Sequence, residues 1–178
     1  MLDPVTSEPT PVAPERHVYG SPSARVTVLE YGDLECPHCR AAAPVLRELV
    51  DSSQGTVRLV WRHFPLFEVH PHALTAALAA EAAAEHGRFW QWHDQCFADQ
   101  AHLADPDLRR KAVAIGLDPS EVAGARAQRF APAVEADYLA GIAAGVAGTP
   151  TLFVAGVPYR DRVDLGRLRA AVAATMGA

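Results

Sequence analysis

Val26-Thr27-Val28-Leu29-Glu30-Tyr31-Gly32-Asp33-Leu34-Glu35-Cys36-Pro37-His38-Cys39 sets a short apolar run ahead of two closely spaced cysteines. Val26 to Tyr31 reads as a buried strand bounded by turn residues. A helix is predicted from about Pro37 to Ser52: Pro37 suits its first position, and Val45, Leu46, Leu49 and Val50 give one apolar face. Pro44 falls inside that pattern and is expected to kink it, and Gln54-Gly55 ends it. The Cys-x-x-Cys thus lies in a strand-to-helix turn, with Cys36 at the N-cap, where unpaired N–H groups and the helix dipole favour an anion. The thiolate is the reactive form of cysteine, and such a position can bring its pKa from about 8.5 to about 3.5–7.5. Cys39, one turn on, is within reach to resolve a mixed disulfide. Pro37 removes a donor and stiffens the turn, and a protonated His38 adds positive charge beside Cys36.

Other uses of the pair fit less well. Structural zinc takes four ligands, usually from a second Cys-x-x-Cys or a paired His motif. The sequence holds no second pair, and His70 and His72 at a helix start are poor substitutes. A static disulfide across two residues would add little loop-closure entropy. With 3 cysteines in 178 residues, a disulfide scaffold is excluded and a single domain is long enough to be stable without one. The formal charge of −5 and the lack of a basic stripe argue against nucleic acid.

Working outward, residues 1–16, with Pro4, Pro9, Pro11 and Pro14, read as a disordered or extended leader. That leader lacks the charged and apolar regions of a signal peptide, so the chain as written is expected in the cytoplasm, or outside it if a leader is missing. No apolar run is long enough to span a membrane. Thr56 to Phe64 alternates as a second strand, parallel to the first across a βαβ unit. From His70 to about Val146, Ala-rich periodic segments break at Gly87, Asp105-Pro106, Asp118-Pro119 and Ala131-Pro132, predicting four or five helices. Both Asp-Pro pairs fit an N-cap followed by proline. Thr151–Val154 and Val157–Tyr159 form a hairpin around Ala155-Gly156, and Asp164 to Met176 closes the chain as a helix.

Two further residues bear on the cysteine pair. Glu30 stands within an apolar strand, where a desolvated carboxyl would have a raised pKa and could exchange protons with Cys39, although alternation also allows it to face solvent. Pro150, in Gly148-Thr149-Pro150-Thr151, enters a strand, where proline needs a special reason such as a cis turn. Other features read as structural. Cys96 shares a helical face with Phe89 and His93 and reads as a small buried hydrophobe, the alternative being a regulatory or third redox thiol. The aromatic cluster around it is core. His63, His70 and His72, bracketing Phe64-Pro65-Leu66-Phe67, are solvated loop histidines or the border of a groove. Arg109-Arg110-Lys111 is a solvated helix face.

Val28-Leu29-Glu30-Tyr31, Cys36-Pro37-His38-Cys39 and the distant Gly148-Thr149-Pro150-Thr151 together resemble the DsbA-like branch of the thioredoxin superfamily. The resemblance spans roughly residues 17–176. It implies an α/β thioredoxin-like fold over 17–178, a βαβ half plus a ββα half around a central mixed sheet, with a helical insertion at about 67–146. It implies an exposed nucleophile at Cys36, a buried resolving partner at Cys39, a buried acid at Glu30 and a cis-proline at Pro150 facing the pair, with Thr149 offering backbone atoms to an extended peptide. The expected activity is protein-disulfide oxidoreductase, exchanging disulfides with protein or peptide thiols and recycled by a redox partner, with no cofactor and no metal. The Pro-His dipeptide is associated with oxidising members, and threonine before the proline with isomerase-like and other oxidoreductase members. A cytoplasmic reductase, a glutathione-linked enzyme using one cysteine, and a metal- or copper-binding module are the other readings.

Overall fold

The computed structural model describes residues 16–177. The expected leader, apart from Arg16, lies outside them. β1 (Val18–Gly20), β2 (Val26–Gly32), α1 (Pro37–Asp51) and β3 (Val57–His63) form the first half. α2 (Ala73–Glu85), α3 (Phe89–Ala98), α4 (Asp105–Ala114), a 3-10 turn (Gly124–Phe130) and α5 (Ala131–Ala143) form a helical block. β4 (Thr151–Val154), β5 (Val157–Tyr159) and α6 (Leu165–Met176) complete the chain. The sheet order is β1-β3-β2-β4-β5, with β2 parallel to β3 and all other neighbours antiparallel. This is a thioredoxin-like α/β fold with an α-helical insertion. β1, three residues long, carries no alternation that a sequence reading could catch, and only its pairing with β3 defines it.

Strand period explains where the cores sit. Val26 and Val28 pack on α1 through Leu46 and Leu49 and on α6 through Leu168 and Val172. Leu29 and Tyr31 point the other way, to Phe64, Val146 and Phe153. Glu30 follows Val28 on the α1 side, between Trp61 of β3 and Leu152 of β4. α1 runs unbroken through Pro44, which is exposed. The hairpin turn at Ala155-Gly156 puts both residues at positive φ (48° and 81°), as a tight turn between twisted strands requires.

Several expectations change. The N-cap of α4 is Ala104, not Asp105, because Asp107 reaches back to the Ala104 N–H. Asp118-Pro119 opens a turn instead of a helix: the Asp118 carboxylate accepts the Ser120 N–H, and its carbonyl accepts that of Glu121. Lys111 is buried, its ammonium donating to the carbonyls of Gln95 and Asp99, so it is no part of a solvated face. Arg16 is held by Glu81 of α2 and Asp137 of α5, which ties the chain entering β1 to the helical block.

Candidate active site

α1 begins where the sheet meets the helical block, and both cysteines lie in the core cluster that joins them, with Leu34, Trp61 and the α2–α3 face. Cys36 is the N-cap and Pro37 the first helical residue. The Cys36 thiol is lowered from 9.0 to about 5. A hydrogen bond from the Cys39 thiol contributes most, outweighing the opposing effect of burial, and Thr149 and the N–H groups of Cys39 and His38 add to it. His38 therefore acts on Cys36 through its main chain, while its imidazole is exposed. Cys39 moves the other way, well above 9, because it is desolvated and because it donates to Cys36 and faces the charges of Glu30 and Cys36. One sulfur is thus poised as thiolate and its neighbour as thiol.

Cys36 is only 2 % exposed, against the exposed nucleophile that the family resemblance implies. The loop before β4 accounts for the cover: the Thr149 carbonyl accepts from Cys36 Sγ at 3.4 Å. The Thr149–Pro150 peptide bond is cis. A groove of about 450 Å³ runs from this loop along β4 and β5, lined by Thr149, Pro150, Thr151, Phe153, Tyr159 and Arg160.

Glu30 is 1 % exposed, and neither carboxylate oxygen has a hydrogen-bond partner. Burial, helped by the charge on Cys36, pushes its carboxyl up to about 8. A buried acid without partners stays neutral at pH 7 and can give or take a proton.

Three residues that the sequence did not single out hold the centre in place, and His70 joins them. Asp33 donates its N–H to Cys39 Sγ at 3.5 Å and accepts the Cys36 N–H on its carbonyl at 3.1 Å. Glu35 accepts the His72 N–H at 2.6 Å, fastening the turn to the loop before α2. Gln100, after α3, donates to the carbonyls of Leu34 and Cys36. His70, expected to be solvated or to border a groove, is partly buried and pairs with Asp33 at 2.7 Å. The one signal available was Asp33 itself, since aspartate in a turn commonly bonds the N–H two residues on, here that of Glu35 at 2.7 Å. Cys96 is fully buried with its thiol pushed up to about 12 by desolvation, as befits a core residue.

Among the described residues, one group of three or more potential metal ligands comes together: His17, His63 and Glu81, all buried. His63 is thus the buried end of β3, not a loop residue. The donor set does not suit a metal. Trp61 Nε1–H, which can only donate, points at His63 Nδ1 at 3.2 Å, so a neutral His63 carries its proton on Nε2, the atom that would have to bind. His63 Nε2 lies 3.2 Å from Glu81 Oε1 but off the line of a good hydrogen bond. The Arg16 guanidinium occupies that same Glu81 oxygen. The cluster is an ion-pair network in which burial keeps His17 neutral, near pKa 4.

The thioredoxin family model matches residues 12–174. A thioredoxin-like oxidoreductase from Silicibacter pomeroyi DSS-3 superimposes with a TM-score of 0.81 at 28% identity, covering 90% of this chain and 92% of that one. DsbA2 from Pseudomonas aeruginosa superimposes with a TM-score of 0.69, also at 28% identity, covering 90% and 93%. The Na(+)/H(+) antiporter NhaA 3 of Salinispora tropica is 46% identical over 164 residues, 91% of this chain but 25% of that protein. The chain spans about a quarter of the length of the curated relatives it matches.

Proposed function

The chain belongs to the thioredoxin family, in its DsbA-like branch, and from that premise we propose that it is a thiol–disulfide oxidoreductase acting on protein or peptide thiols through Cys36 and Cys39. The observation that carries this reading is the opposite poise of the two sulfurs, Cys36 near pKa 5 and Cys39 well above 9. In the oxidising direction a substrate thiolate attacks Cys36 Sγ of the Cys36–Cys39 disulfide. A mixed disulfide forms, and Cys39 leaves and takes a proton, for which the Glu30 carboxyl is the buried source. A second substrate thiolate then attacks the substrate sulfur, and Cys36 departs as thiolate. Two electrons pass from substrate to the pair, and a redox partner removes them. Thr149 and Pro150 flank the groove in which an extended peptide would lie.

A stabilised thiolate favours the reduced form and so makes the couple oxidising. This supports an oxidase over a reductase. The antiporter name belongs to relatives four times longer, and no helix among the described residues is long and apolar enough to cross a membrane. We read the matched quarter as the redox part of such proteins.

The test is oxidative refolding of a reduced, cysteine-containing substrate, together with insulin reduction, for the wild type, Cys36→Ser and Cys39→Ser. Loss of exchange in both variants supports the dithiol mechanism. Activity retained in Cys39→Ser would favour the glutathione-linked enzyme, and activity retained in Cys36→Ser would end the reading. Equilibration with glutathione then fixes direction: a potential near the ~ −270 mV of thioredoxin would rule out the oxidase.

A further inference from the structure

The turn between β2 and α1 holds a charged pair that the exchange steps do not use. The Asp33 carboxylate is buried, accepting the Glu35 N–H on one oxygen and the Leu66 N–H (2.9 Å) and His70 Nδ1 (2.7 Å) on the other. The main chain of the same residue touches both members of the pair, at Cys36 N and Cys39 Sγ. An anion buried there opposes a second anion forming on Cys36. His70, brought in by the loop between β3 and α2, is the cation that offsets it.

We propose that His70 is a positioning residue of the redox centre: its imidazolium, held by Asp33, cancels the buried charge behind the cysteines and so keeps Cys36 a thiolate. This rests on the disulfide-exchange reading of the pair. Burial works against protonation of His70, but the hydrogen bond to Asp33 and the charges of Asp33, Cys36 and Glu35 outweigh it, and the imidazole pKa is raised. Those three groups face His70 from the β2–α1 turn and the head of α1. Cys36 itself is also faced by Cys39, by Glu30 from β2 and by Thr149 from the loop before β4.

Linkage makes the idea testable. The Cys36 thiolate favours His70 protonation, so His70 favours the thiolate by the same free energy. The thiolate exists only in the reduced protein. The His70 ring should therefore titrate at higher pH in the reduced chain than in the disulfide form, a difference that a purely structural histidine would not show.

The experiment follows the His70 ring protons by NMR against pH in both redox states of the wild type. Alongside, thiolate absorbance of Cys36 is titrated in wild type, His70→Gln, Asp33→Asn and the double variant. The expected result is a higher His70 midpoint in the reduced state and a Cys36 midpoint raised by about one pH unit in His70→Gln, a tenfold change equal to ~30 mV for this couple. The double variant should return toward wild type, because the charge left unbalanced by His70→Gln is gone. Equal His70 midpoints in the two states would overturn the inference even if His70→Gln fails to fold. A wild-type chain that forms no Cys36–Cys39 disulfide would show, before any variant is made, that the exchange reading itself is wrong.

Discussion

The side-chain amide of Gln100 donates to the main-chain carbonyl of Cys36 at 2.9 Å, and the same nitrogen reaches the carbonyl of Leu34 at 3.0 Å. A residue of the helical block thereby grips the carbonyls of the two residues that flank Glu35. The sheet positions Cys36 from below through α1, and Gln100 fixes the turn that leads into it.

Gln100→Ala should destabilise the protein by about 1–2 kcal/mol, since the Leu34 and Cys36 carbonyls lose a donor while the Cys36 carbonyl keeps its helical bond from Arg40. Urea unfolding at pH 7 measures this. Hydrogen exchange should show faster opening at the head of α1 than at its C-terminal half. A variant as stable as wild type would mean that water replaces the amide at no cost.

Glu30 sets a pH slope on stability. Its folded pKa is raised from 4.5 to about 8, so the carboxyl is protonated in both states below pH 4.5 and burial then costs nothing through ionisation. As pH rises toward 8 the unfolded chain ionises and the folded one does not, and stability falls. By pH 7 the loss reaches about 3 kcal/mol, from ~1.4 kcal/mol per unit of pKa difference. Glu30→Gln removes that slope. Urea titrations of both reduced proteins from pH 5 to pH 8 should show wild type losing ground steadily to the variant, whereas a constant gap would mean that Glu30 is not held neutral.

Much of this was legible in the sequence because the decisive features are local. A bounded apolar run marked Val26 to Tyr31 as a buried strand, helix period placed Leu46 and Leu49, and the Cys-Pro-His-Cys turn announced its own N-terminus. What escaped depends on residues far apart in the chain. Asp33 meets Leu66 and His70, Gln100 meets Cys36, and Lys111 reaches Asp99 only after α3 and α4 pack. The cover over Cys36 comes from Thr149, 113 residues away. A polar residue in a loop looks the same in sequence whether it faces water or a buried partner.

Gly141 is another such position, an ordinary small residue in an Ala-rich helix by sequence. A Cβ there would lie 2.6 and 2.8 Å from ring atoms of Phe64 and 3.1 Å from Tyr31. Phe64 is stacked on Tyr138 with centroids 4.6 Å apart, so it has little room to withdraw. Gly141→Ala gains up to about 1 kcal/mol of helix propensity but overpacks a core contact at a cost of about 1–3 kcal/mol. The net expectation is a lower Tm. Gly148→Ala, where a Cβ meets nothing within 4 Å, is the control and should leave Tm close to wild type.

The thiolate itself is open to direct measurement. As a thiol, Cys36 donates to the Thr149 carbonyl; as a thiolate it needs a donor, and the Thr149 hydroxyl is buried with no hydrogen-bond partner of its own. Iodoacetamide should label Cys36 with a midpoint near pH 5, while Cys39 and Cys96 stay silent through pH 8 because their thiols lie well above 9 and at about 12. Thr149→Val keeps the shape and deletes the hydroxyl. A hydrogen bond to a charged group contributes ~1.5–3 kcal/mol, so the labelling midpoint should rise by about one to two pH units. An unchanged midpoint in Thr149→Val would leave the helix N-terminus and Cys39 as sufficient to hold the charge, and labelling of Cys39 before Cys36 would reverse the roles assigned to the two sulfurs.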